Sequence, residues 1–141
     1  MTDTDANHTE YPAEKLAGTL ILRMGIELEE ITPDIATGRM PVAGNIQPAG
    51  LLHGGASAVL AETLASVAAH AHATSMDGAR TAAGVDLNIT HHRAVRSGWV
   101  RGRAEALYLG RRTASYEVVI TDDDGARVAS ARLTCQVITL R

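Results

Sequence analysis

"LLHGGASAVLAETLASVAAHA", residues 51–71, decides how the rest of this chain is understood. From about Gly54 to Ala73 the pattern predicts one long helix that is apolar on nearly every side. Its polar side chains Glu62, Ser66 and His70 fall four apart and so share a single stripe. Two features are out of place. Gly54 and Gly55 cost stability where a helix begins, and the Glu62 carboxylate stands among Ala58, Val59, Leu60, Ala61, Leu64 and Ala65. Each has a chemical reading. A helix N-terminus offers unpaired N–H groups and partial positive charge, and glycine lets a ligand oxygen approach the backbone closely. Gly54 and Gly55 are therefore a candidate clamp for a polarised carbonyl. Glu62 is a candidate nucleophile or general base in an apolar, partly desolvated setting.

Before the helix, "AGNIQPAG" (43–50) is a loop rich in chain breakers. Ile26–Ile31 and Ile35–Val42 read as a hairpin turned by "TPD". Ala13–Met24 is expected to form a short helix stopped by Gly25, and residues 1–10 a disordered tail. After the helix, Val85, Leu87 and Ile89 alternate with Asp86, Asn88 and Thr90, which puts the three apolar side chains on one face of a strand. Trp99–Leu109, Thr113–Thr121 and Ala126–Thr139 follow as long strands, the last two joined by the Asp-Gly signal in "DDDG" (122–125). The expectation is a single α+β domain over residues 11–141, an antiparallel sheet wrapped around a long central helix. Phe is absent and alanine abundant, so the helix should press closely on the layer beneath it.

The net charge of −3 over 141 residues argues against a nucleic-acid partner. The apolar run Leu16–Leu22 is too short to span a bilayer and the N-terminus lacks an apolar signal core, so a soluble, cytoplasmic protein is expected. The single cysteine, Cys135, excludes an internal disulfide and a Cys-based zinc cluster, and its strand setting suits a small buried hydrophobe. His70 and His72 lie about 200° apart around a helix, a poor start for a metal site.

Gly54 and Glu62 cannot serve one carbonyl from one chain. Eight residues of helix span about 12 Å, whereas reacting groups must come within about 3–3.5 Å. A second copy of the helix, antiparallel to the first, would bring its own Glu62 beside Gly54, and a two-fold dimer would do so twice.

"NIQPAGLLHGGASAVLAETLAS" (45–66) resembles the active-site segment of hotdog-fold acyl-CoA thioesterases of the 4-hydroxybenzoyl-CoA type. That branch includes the phenylacetate-pathway and enterobactin-proofreading thioesterases. The likeness runs on through residues 88–134 and covers about residues 15–138, with "THHR" (90–93) and "LGRR" (109–112) pointing to the proofreading members. The resemblance implies Glu62 as the catalytic carboxylate, attacking the thioester carbon or activating water. It implies that the Gly54 N–H holds the thioester oxygen, that Gln47 and His53 orient the thioester or an aryl group, and that Ser66 positions water. It also implies a site shared across a homodimer, assembled further into a homotetramer, with no metal or cofactor. The substrate would be an acyl-CoA, or an acyl carrier protein thioester, with an aromatic acyl group expected.

Arginine grips phosphate in pairs of hydrogen bonds, and Arg93, Arg96, Arg101, Arg103, Arg111 and Arg112 crowd the later strands. Arg93 and Arg111 are the preferred pair for a coenzyme A tail, with Gly55, His92 and Gly110 as further contacts. His91 and His92 alternate faces, so only one of them should approach the acyl pocket. Two other classes stay open: a hotdog dehydratase or hydratase using His53 and Glu62, and a non-catalytic acyl-CoA-binding protein of the same fold.

Overall fold

The computed structural model describes Tyr11 and residues 13–140; the tail expected over residues 1–10 lies outside the described residues. Two one-turn helices, α1 (Ala13–Leu16) and α2 (Leu20–Arg23), lead into the hairpin β1 (Glu27–Ile31) and β2 (Ile35–Pro41). The long helix α3 (Gly54–Met76) follows, then β3 (Arg80–His91), β4 (Trp99–Leu109), β5 (Thr113–Thr121) and β6 (Arg127–Thr139). All six strands form one antiparallel sheet in the order β1-β2-β4-β5-β6-β3, with α3 packed on it. The α+β expectation, a sheet around a central helix, is borne out.

The close approach of α3 has identifiable causes. Ala61, Ala65, Ala68 and Ala69 are fully buried on the helix side. On the sheet side Gly38 and Gly102 are register partners beneath Leu64. A Cβ on Gly102 would lie 2.4 Å from Leu64 Cδ1, and one on Gly38 3.0 Å from Leu64 Cδ2. Two bare Cα atoms thus make the depression that receives a buried leucine, worth about 1.5–3 kcal/mol for the side chain removed from water.

Two expectations need correction. The helix over Ala13–Met24 is broken, because Gly18 takes a left-handed φ of +76° and the Thr19 hydroxyl donates to the Leu16 carbonyl at 2.6 Å. Gly25, at φ +73°, does end the second turn. Val85 does not share a face with Leu87 and Ile89: it is 59% exposed while they pack against the core. A bulge is the reason, since β6 pairs Gly84 with Cys135 and Asp86 with the next residue, Thr134, leaving Val85 as the extra residue.

The "DDDG" turn forms as expected. Asp122 Oδ1 accepts from the N–H groups of Asp124 and Ala126, and Gly125 sits at φ +80°.

Candidate active site

The loop before α3 is pinned from three sides. Buried Asn45 donates from Nδ2 to the carbonyls of Met24 and Pro41, each at 2.8 Å, and its own carbonyl accepts from the His53 N–H at 2.9 Å. Gln47 bends onto its own loop, its side-chain oxygen accepting the Ala49 N–H. That leaves the Gln47 amide NH2 without a partner among the described residues, at the wall of a cavity. The Leu52 N–H donates to the Val95 carbonyl at 2.8 Å and ties this loop to the segment that follows β3.

His53 is the N-cap of α3. Its Nδ1 accepts the Gly55 N–H at 2.8 Å, and its carbonyl accepts from Ala56 and Ser57. Gly55 is thereby satisfied within the chain. Gly54 alone in this first turn keeps an N–H with no partner among the described residues. Gly54 lines a cavity of about 390 Å³ together with Gln47, Leu52, Ser57 and His91–Arg93, with Val128 behind. A donor at a helix start beside such a space suits an oxygen that gains negative charge.

Both histidines line this cavity, and both are exposed. The His91 ring lies against Gly54, where an added Cβ would meet Nε2 at 2.9 Å. His92 lies 2.9 Å from the Ser130 hydroxyl through Nε2. Two walls arise because β3 ends at His91 and the chain turns away there, with the N–H groups of both His92 and Arg93 directed at the Val128 carbonyl.

Glu62 is elsewhere. It stands midway along α3 and is exposed in the single chain, not shielded by apolar neighbours. It is uncovered in the single chain because β3, the strand beside it, is the outer edge of the sheet. Its Oε1 lies over Gly84, and Ser66 and Cys135 complete the group. Burial and the nearby Glu62 charge push the Cys135 thiol up to about 11, against a hydrogen bond with Ser66 that works the other way. The thiol thus stays neutral at ordinary pH and serves as a small buried neighbour.

Residues 49–129 match the model of the thioesterase superfamily. The chain belongs to that superfamily. It is 44% identical over 122 residues to the proofreading thioesterase EntH of Cronobacter turicensis, covering 86% of this chain and 87% of the relative. The corresponding protein of Cronobacter sakazakii is 42% identical over the same shares of the two chains. Among solved structures, a Haemophilus influenzae thioesterase superposes with a TM-score of 0.83 at 32% identity, covering 95% of each chain. A Pseudomonas aeruginosa thioesterase, crystallised as a mutant, superposes with a TM-score of 0.84 at 34% identity, covering 96% of this chain and all of the other. The molecule is a hotdog-fold thioesterase, and the superfamily match contains whole the long helix with its glycine start and strands β3 to β5.

Within one chain of this thioesterase the sequence-predicted residues fall into three places. Gln47, Gly54, His92 and Arg93 line the cavity at the start of α3, with His53 and Gly55 capping beside them. Glu62 and Ser66 form the second group. Gly110 and Arg111 lie at the far end: the Gly110 carbonyl is 2.7 Å from His72 Nε2, and Arg111 lines a hollow with Met76, Asp77 and Arg80. Arg93 is half exposed and 3.4 Å from Asp122. Arg101 and Arg103 pair with Glu29 and Glu105 on the surface, where such pairs contribute little. No metal-binding cluster of His, Cys, Asp or Glu occurs among the described residues, and no described helix is long and apolar enough to cross a membrane. Gly84 and the packing of His91 on Gly54 were not foreseen; the first depends on a bulge and the second on where β3 stops.

Proposed function

We propose that this thioesterase hydrolyses an acyl-CoA at a site shared by two copies of the chain, with Glu62 as nucleophile or general base and the Gly54 N–H holding the carbonyl oxygen. One observation carries the reading: the unpaired N–H and the carboxylate stand on one unbroken helix eight residues apart, about 12 Å. A second copy is needed to close that distance. The free edge of β3 supports such a copy, being twelve residues long and largely exposed along Ala83–Asp86. An edge of that length presents a row of ladder groups to another strand. Joining two β3 edges about a two-fold axis runs the strands, and with them the helices, antiparallel.

In that arrangement the partner's Glu62 reaches the thioester carbon, or the water that attacks it, while the Gly54 N–H stabilises the oxyanion. The thiolate of coenzyme A then leaves and takes a proton. The Gln47 amide donates toward the acyl carbonyl or an aryl substituent, and Ser66 positions the water. His53 holds the helix start in shape through Gly55. Because the partner helix would run on about 15 Å beyond its Glu62 to its His72, the partner's Arg111 would stand outward of Arg93. A coenzyme A tail is long enough to meet both. The acyl group we propose is aromatic, as the resemblance carried by residues 45–66 and 88–134 implies.

Complementation tests the shared site. Glu62→Ala and Gln47→Ala chains, each inactive alone, are mixed under conditions that exchange subunits, with exchange verified by mass spectrometry of tagged copies. One site in each mixed dimer is intact, so about a quarter of wild-type activity should return. Verified mixed dimers without recovered activity would mean that the site lies within one chain.

A further inference from the structure

The outer strand β3 meets the Glu62 carboxylate at Gly84. A Cβ built on Gly84 would lie 2.6 Å from Glu62 Oε1 and 3.6 Å from its carboxyl carbon. The third neighbour, Leu133 Cδ1 at 3.4 Å, is at ordinary contact distance. Gly84 is not among the glycines with positive φ, so its backbone conformation is open to any residue. What a side chain there would displace is the carboxylate, the far end of the Glu62 side chain.

The neighbouring bulge aims this glycine. Ala82 on one side of it, and Leu87 and Ile89 on the other, all pack against the core, although they differ in parity along the strand. Regular alternation would put them on opposite faces. Val85, the extra residue, resets the phase, so that Gly84 faces α3 in line with Ala82.

We propose that Gly84 is a positioning residue for the thioesterase reaction, its bare Cα forming the gap through which Glu62 crosses the edge strand toward the second copy. Any side chain at 84 would stand between the carboxylate and the seam. The inference rests on the assignment of Glu62 to the chemistry, and the test separates the two. In the full-length protein with benzoyl-CoA as probe, Gly84→Ala should lower kcat about a hundredfold, as expected for a reacting group displaced by about 1 Å. KM should barely move. Glu62→Asp withdraws the carboxylate by one methylene from the added Cβ, so it should cost less turnover in the Gly84→Ala protein than in the wild type. In a Glu62→Ala background, Gly84→Ala should leave Tm unchanged or slightly raised, because no other atom of the chain obstructs the new methyl and alanine restricts the unfolded chain.

Wild-type kcat in Gly84→Ala, strictly additive costs of the two changes, or a lowered Tm in the Glu62→Ala background would each overturn the role of Gly84. The third result would show that the glycine serves the strand and not the carboxylate, whatever the activity of the single variant. Glu62→Gln alone tests the underlying assignment. If it loses turnover while Gly84→Ala keeps it, only the positioning role fails; if it keeps turnover, both ideas fall together.

Discussion

Gly54 and Glu62 stand two turns apart on the same helix, and their surroundings differ in kind. Around Gly54 one chain supplies nearly everything: a capped helix start, a loop pinned by Asn45, a free N–H, and a cavity with two histidines and Gln47 in its walls. Around Glu62 one chain supplies only a floor, made by Gly84, Leu133, Ser66 and Cys135, and leaves the carboxylate exposed. On the proposed reading, the difference marks where a second copy would act. The Gly54 N–H is a backbone group built by local folding, whereas a carboxylate meant for another chain's carbonyl would have to be left uncovered until that chain arrives.

The sharpest way to break the comparison is Glu62→Gln. The change keeps shape and hydrogen bonding, so folding and thioester binding should persist while turnover falls by about a thousandfold, within the range for loss of a general base. Steady-state kinetics beside a thermal melt check it; near-normal kcat would remove Glu62 from the chemistry. A smaller effect is expected at the phosphate end. Neutralising Arg93 or Arg111 should raise KM for an acyl-CoA about tenfold, consistent with loss of a charge-assisted hydrogen bond. KM for the matching acyl-pantetheine, which lacks the nucleotide, should stay put. Equal rises for both substrates would take these arginines out of the tail site.

The smallest effect on turnover is expected from the frame. Gly102→Ala presses a methyl against Leu64 Cδ1 and should cost about 1–3 kcal/mol of stability by overpacking. Activity measured well below the melting range should remain close to wild type. A large loss of kcat there would mean that the seating of α3, and not only its two functional stations, sets the chemistry.

Much of this was legible beforehand. The helix over residues 54–76 and strands β4 to β6 follow from patterns that their own residues repeat, and the "DDDG" turn follows from a side chain that satisfies its own backbone. Val85 was misplaced because a bulge adds a residue without altering composition, and a two-residue alternation carries no mark of where its phase resets. The helix over Ala13–Met24 was misjudged because Gly18 was free to take the left-handed conformation that splits it. His91 could not be placed over Gly54 from sequence, since that contact depends on the end of one element meeting the start of another 37 residues earlier.

By itself the sequence determined the kinds of chemistry available: a carboxylate on a helix stripe, glycines at that helix's start, and a spacing of eight that no single helix can close. These are matters of residue type and of the rise per residue, which are local. Tertiary structure alone decided which groups are finished and which are not. Capping by His53 consumes the Gly55 N–H and leaves that of Gly54; the edge position of β3 exposes Glu62; and the bulge at Val85 turns a glycine toward the carboxylate. Each depends on which strand lies outermost and how its register slips, and those are set by packing between distant segments rather than by any one of them.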